Sequence, residues 1–158
     1  MLHIQGDGGH ASVVRDILRH PERYPATSAF IAVGDNAARK REAERLKDFD
    51  FVVAVHHSAI VSPSASIGDG TVVMAGAVVQ AGARIGRHVI LNTGCSVDHG
   101  CVVEDFAHIA PGAHLCGGVR VGEGALVGVG VGLEPGCIVP AWHIVKRERY
   151  VVQPVPSN

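Results

Sequence analysis

Residues 95–115, CSVDHGCVVEDFAHIAPGAHL, place two cysteines and three histidines within 21 positions. Two chemistries use such residues. Thiolates and imidazoles hold a transition metal when they converge, and a neutral imidazole accepts a proton near pH 7. Which applies depends on where each side chain points, and the surrounding sequence carries a pattern that sets those directions.

From Val61 onward every sixth residue is aliphatic: Val61, Ile67, Val73, Val79, Ile85, Leu91 and Val97, then Val103, Ile109, Leu115, Val121, Val127, Leu133 and Val139, continuing at Val145 and Val151. Two residues before each from Ile67 to Val139 stands a small or β-branched one, as at Ala77, Ala83, Val89, Ala107 and Ala113. A period of six is neither the helical 3.6 nor a hairpin alternation. It suits a short strand and a tight turn, repeated, with two side chains of every six pointing inward. Three such sides close a triangular coil of about 18 residues, and stacked coils pair as parallel strands. The high glycine content and an aromatic share of 4% fit this thin, repetitive packing.

Cys95, Cys101 and Cys137 fall in the small inward column, where a free cysteine is a small core hydrophobe; Cys116 falls outside it. His99 stands two past Val97, and His108 and His114 each precede an aliphatic core position, so all three point outward or lie at corners. Stacked side chains should be multiples of about 18 apart, yet no two of the ten histidines differ by that interval. A zinc site of three converging imidazoles would take ligands from a neighbouring subunit, which leaves a carbonic-anhydrase-like zinc enzyme, or a non-catalytic trimeric β-helix protein, as alternatives; no metal is expected. What remains is an exposed imidazole acting as general base.

Charge and length exclude other classes. With 14 Lys and Arg against 15 Asp and Glu, scattered, there is no footprint for nucleic acid. No apolar run is long enough to span a membrane, and MLHIQGDGGHASVV lacks the layout of a signal peptide. Cysteines without secretory context read as reduced thiols in the cytoplasm. The chain is expected to divide at residues 1–59 and 60–158.

Residues 1–59 do not share the repeat. LHIQGDGGHASVVRDILRH predicts a strand, a glycine-rich turn and a helix from about Ala11 to Arg19; SAFIAVGDN predicts a buried strand, AARKREAERLK a helix and FDFVVAV another strand. This order is a small parallel α/β unit. Its first turn can bring backbone N–H groups to a phosphate.

IGDGTV, IGRHVI, VDHGCV and VGEGAL resemble the hexapeptide-repeat family, the left-handed parallel β-helix of bacterial acyltransferases. With the α/β unit in front, the segments GDGGHASVVRDIL, IAVGDNAARKR, HHSAIVSPSASIGDGTVV and NTGCSVDHGCVVEDFAHIAPGAHLCGGV resemble the PglD/NeuD-type sugar acetyltransferases. That resemblance implies an acetyl-CoA-dependent transfer to a nucleotide-linked amino sugar, or to a sugar hydroxyl, by a cytoplasmic homotrimer with sites between subunits. It implies His99 as the catalytic base, His108 as placing the acetyl group, a Gly117 N–H facing the oxyanion, and Gly128 and Val129 beside the pantetheine arm. Gly9, His10, Asp35, Asn36 and Arg39 match the loops that hold the nucleotide-sugar. Position 100 is Gly where the family usually has an acid, which leaves Asp98, Glu104 and Asp105 as the acids near His99. Lys146, Arg147 and Arg149 form a basic run that could meet the 3′-phosphate of CoA or remain solvated.

Overall fold

A computed structural model describes residues 2–146. Arg147, Arg149 and Val151 lie outside the described residues, and Lys146 is exposed. The front unit is a three-stranded parallel sheet of β1 (His3–Gln5), β2 (Ser28–Ile31) and β3 (Asp50–Phe51), with helices α1 (Gly9–Ile17) and α2 (Asn36–Arg45). The solenoid then begins earlier than the expected boundary, because FDFVVAV splits. Asp50–Phe51 closes the small sheet, while Ala54–Val55 pairs with Val72–Val73 as the first strand of the solenoid. Val55 stands six residues before Val61, in step with the register.

Each coil contributes one two-residue strand to each of three parallel sheets. The first face has six strands, from Ala54–Val55 through His108–Ile109 to Ile144–Val145. The second has five, including Ser96–Val97 and His114–Leu115, and the third has five, including Arg84–Ile85 and Val102–Val103. Partners are 18 residues apart throughout, as in Ile90 with His108 and Leu91 with Ile109. The second residue of each strand points in. Val73, Leu91, Val97, Ile109, Val121 and Val127 are each wholly buried, and Ala77, Ala83, Ala107 and Ala113 fill the inner corners. Burying one such aliphatic side chain contributes about 1.5–3 kcal/mol, so this ladder is the main source of stability. Cys95 and Cys101 sit in it as expected, and burial pushes the Cys95 thiol up to about 12. Cys137 is partly buried and Cys116 exposed.

The front unit is a cap on the first face. Leu2, Ala11, Val14, Leu18 and Phe30 form one cluster with the outward-pointing Val72, Met74 and Ile90. Helix α2 reaches the edge between the third and first faces, where Lys40 Nζ meets Glu123 Oε1 at 2.6 Å. That edge is unlike the other two. Its left-handed corner positions are Gly70, His88, Phe106, Gly124 and Trp142, and His88, Phe106 and Trp142 are the three places in the described chain where a residue other than glycine has positive φ. A left-handed conformation costs a side-chain-bearing residue about 1–2 kcal/mol. At His88 and Phe106 stacking offsets it: the rings are parallel within 4° at 5.1 Å, and Phe51 of the cap meets His88 edge-on at 4.5 Å. Gly70 leaves the room, since a Cβ there would lie 2.3 Å from the His88 ring.

Candidate active site

His99 lies in the turn between Ser96–Val97 and Val102–Val103, at the edge joining the second and third faces, and is exposed. Its N–H donates to Asp98 Oδ1 at 2.7 Å, and its carbonyl accepts the Gly118 N–H at 3.0 Å. One coil above stands Gly117. A Cβ there would be 2.7 Å from both Cε1 and Nε2 of His99, so glycine is what leaves the imidazole its place. The equivalent N–H one coil below is held by Asp98, but position 116 is cysteine, and the Gly117 N–H has no acceptor among the described residues. An unclaimed N–H above an exposed imidazole is the arrangement that acyl transfer uses, a base beside an oxyanion donor.

None of the three nearby acids bonds to the His99 ring. Asp98 is engaged by the backbone of His99 itself. Glu104 Oε2 accepts the Glu123 N–H at 3.0 Å, and Asp105 Oδ1 accepts the Arg87 N–H at 2.7 Å, both at the opposite end of the third face. An open cleft of about 430 Å³ lies there too, between Arg84 and Glu123.

His108 points outward from the first face, under the cap. Asn92 Oδ1 accepts the Thr93 N–H at 2.8 Å, which turns its amide nitrogen toward His108 Nε2 at 3.0 Å. That assigns Nε2 as acceptor and leaves the ring proton on Nδ1. Burial, with Arg39 and His10 nearby, lowers the His108 pKa to about 3, against the pull of the Gly34 carbonyl. His10, in the first turn of α1, meets His108 edge-on at 5.7 Å, and its Nε2 is buried without a partner. Burial and then Arg39 lower its pKa also.

Glycines shape the neighbouring turn. Gly6 has φ 125°, and a Cβ on it would lie 2.7 Å from the Ala32 carbonyl, so only glycine lets the turn approach β2. Gly8 and Gly9 face open space, and no side chain caps α1. The result is a pocket of about 210 Å³ between Gly6–His10 and Ala32–Gly34, with helix N–H groups at one end. Across it the 35–39 segment is largely occupied by the protein itself. Asp35 Oδ1 caps α2 through the Ala38 N–H at 2.7 Å, and Asn36 Nδ2 donates to the carbonyl of Gly124 at 3.0 Å. Arg39 is 1% exposed and spreads its donors over His88, Val33, Gly34, Phe106 and Asn36 at 2.7 to 3.2 Å. With every branch of the guanidinium on a protein acceptor, Arg39 pins cap to solenoid and does not present itself to a ligand.

The two halves of the site therefore lie apart. In a triangular coil the edge between the second and third faces is opposite the first face. His99 is on that edge; His108, His10 and the glycine-rich pocket are on or above the first face.

Known proteins resemble this chain in sequence and fold. Residues 64–99 match the family model described as bacterial transferase hexapeptide (six repeats). The acetyltransferase domain of PglB from Neisseria gonorrhoeae, solved with acetyl coenzyme A, is 31% identical, with 90% of this chain and 94% of that one covered and a TM-score of 0.83. PerB from Caulobacter crescentus, solved with CoA and GDP-perosamine, is 36% identical over 92% of this chain and 88% of that one, with a TM-score of 0.80. The chain belongs to the hexapeptide-repeat acetyltransferases of the PglB and PerB type.

A curated member of these acetyltransferases, UDP-N-acetylbacillosamine N-acetyltransferase of Bacillus subtilis, is 40% identical over 109 residues, and the chain spans about half (50%) of its length. In this hexapeptide-repeat chain Gly128 and Val129 occupy the edge between the first and second faces; Val129 is 65% exposed, and a Cβ on Gly128 would press on the Val145 carbonyl at 2.7 Å. Sequence reasoning missed Asn92, which orients His108, and the aromatic edge of His88, Phe106 and Trp142. The second had a signal, since these three stand 18 or 36 residues apart in a column where the other edges carry glycine. No described helix is long and apolar enough to cross a membrane, and the described residues contain no group of three His, Cys, Asp or Glu suited to a metal ion.

Proposed function

We propose that the protein is an acetyl-CoA-dependent N-acetyltransferase acting on a nucleotide-linked amino sugar, as a cytoplasmic homotrimer whose sites are shared between subunits. The observation that carries this reading is the separation of His99 from His108 and the cap pocket on opposite sides of one coil. An exposed base and the pocket that supports the acceptor become one site only when the edge of one subunit faces the capped face of the next. The curated relative and PerB are named with nucleotide-linked amino sugars, which supports an amine as the acceptor.

In this mechanism the nucleotide part of the acceptor binds against Gly9 and His10, with its phosphates near the uncapped end of α1. Asp35 and Asn36 stand past the Gly34 loop, between this pocket and the acyl-donor side, and Arg39 holds that segment in place from behind. The amine attacks the thioester carbonyl carbon of acetyl-CoA, whose arm runs beside Gly128 and Val129. His99 takes the amine proton as the new C–N bond forms, and the developing oxyanion accepts the Gly117 N–H. The C–S bond then breaks, CoA leaves as the thiolate and is protonated, and the acetamide remains. His108, held neutral, positions the acetyl group without drawing off a proton.

Two measurements test this. Incubation with acetyl-CoA and UDP- or GDP-linked 4-amino sugars should release free CoA, and His99→Ala should cut kcat by about 10²–10⁴ with melting temperature unchanged. Co-expression of His99→Ala with His108→Ala chains should restore part of the activity, since mixed trimers contain one intact site built from two chains. No restoration would show that the site lies within one chain.

A further inference from the structure

Trp142 is the chain's one tryptophan, and it is the member of the aromatic edge whose left-handed conformation is least explained by packing. His88 and Phe106 offset their strain by stacking and burial. Trp142 remains 44% exposed, with its ring over Gly124 and Lys40 Nζ 5.5 Å from its centroid. Gly124 is there for the ring: a Cβ would lie 2.4 Å from it, and the Asn36 amide bonds to the same glycine's carbonyl. The indole is therefore held in a set position with an open side, and that side faces a cleft of about 210 Å³ whose other walls are Leu126, Ile144, Asp35, Asn36 and Ala37, with His108 at its floor.

We propose that Trp142 is a positioning residue for the acyl donor, its indole packing against the amide-bearing arm of acetyl-CoA where that arm leaves the His108 floor. This rests on the acetyl-transfer reading above. Trp142, Leu126, Ile144 and Ala37 give the cleft an apolar side, with the Asn36 amide beside it, which suits a slender uncharged chain that carries amides. Asp35 at the rim is a carboxylate already committed to capping α2, so the cleft disfavours the phosphates of either substrate. The glycine-rich pocket on the other side of the Gly34 loop has the helix N-terminus and no such wall. The two cavities thus divide the substrates, phosphates on one side of the loop and the thioester arm on the other.

The sole tryptophan makes the test direct. Titration of the intact protein with acetyl-CoA, and separately with acetyl-pantetheine, should change its emission saturably, while adenosine 3′,5′-bisphosphate and nucleotide-sugar should not. Trp142→Gly, which restores the residue type of the neighbouring corners, should raise KM for acetyl-CoA about tenfold, the size of one aromatic packing contact, with kcat and the KM for the amino sugar within about twofold. Trp142→Phe should recover most of the affinity, and it serves if the glycine variant fails to fold. Emission that responds to the nucleotide-sugar instead, or an unchanged KM in both variants, would overturn the proposal and leave the indole as a mere end-piece of the coil. Calorimetric binding of acetyl-CoA without any emission change would overturn it while leaving acetyl transfer standing. No binding of acetyl-CoA at all would remove both.

Discussion

The edge that carries His99 and the edge that carries His88 and Phe106 are made from one repeat, with the same strand length and the same left-handed corners. At the His99 edge those corners are Gly82, Gly100, Gly118 and Gly136, and the imidazole stands one residue before its glycine, exposed and with no side-chain partner among the described residues. At the other edge aromatic rings occupy the left-handed position itself, and the cap closes over them through Phe51, Arg39 and Lys40. The same backbone thus leaves one edge exposed and makes the other a seam. Strain is accepted where a permanent partner within the chain offsets it and avoided where the surface must remain free.

Breaking the seam should have the largest effect. Arg39→Met leaves the carbonyls of His88, Val33 and Phe106 without their donor in a buried site. Each unsatisfied buried group costs about 1–3 kcal/mol, so denaturant unfolding should show a loss of about 3 kcal/mol or more, with the cap becoming protease-sensitive before the solenoid. A loss below about 1 kcal/mol would mean the cap is held by its apolar cluster alone.

The opposite edge should respond in rate and not in stability. In Gly117→Ala the added Cβ lies 2.7 Å from the His99 ring and forces it aside. A displacement of about 1 Å costs about 10²-fold in rate, so kcat should fall by that order with little change in unfolding midpoint. Equal kcat in the two proteins would separate Gly117 from the placement of the base.

The smallest effect sharpens the comparison through pH. Burial first, then Arg87 and Arg39, lower the His88 pKa to about 4 from an ordinary 6.5, while its Nδ1 has no partner. The unfolded chain therefore binds a proton that the folded one refuses. The stability linked to His88 is complete above about pH 6.5 and declines as pH falls toward 4, a change of about 2–3 kcal/mol after allowing for partial solvation. His108 adds a decline of the same sign that extends to about pH 3. Melting temperature recorded from neutral to acid pH should show the loss, and His88→Phe should flatten the part above pH 4. A profile identical in the variant would remove His88 as its source.

Much of the solenoid was legible in advance because its cause is local. Inward positions recur every six residues, and each must be small or aliphatic to fit a core two side chains deep, so Val97, Ile109 and Ala113 declare their burial by type and spacing alone. The start of the solenoid at Ala54–Val55 was hidden, since FDFVVAV is apolar enough to be one strand and only pairing with Val72–Val73 divides it. Gly117 and His99 were legible through resemblance, but the steric reason that binds them was not, because they meet only when coils stack.

By itself the sequence determined the triangular coil and the exposure of His99, because periodicity reports which side of a strand faces solvent, while the family was recognised through the resemblance of its motifs. Only the tertiary structure decided that Arg39 holds the protein together, that Asn92 governs the His108 proton, and that His99 and the cap pocket lie on opposite sides of the coil. Those outcomes depend on contacts between residues 16 to 67 positions apart, and no local pattern encodes a contact made by the closure of one unit on another.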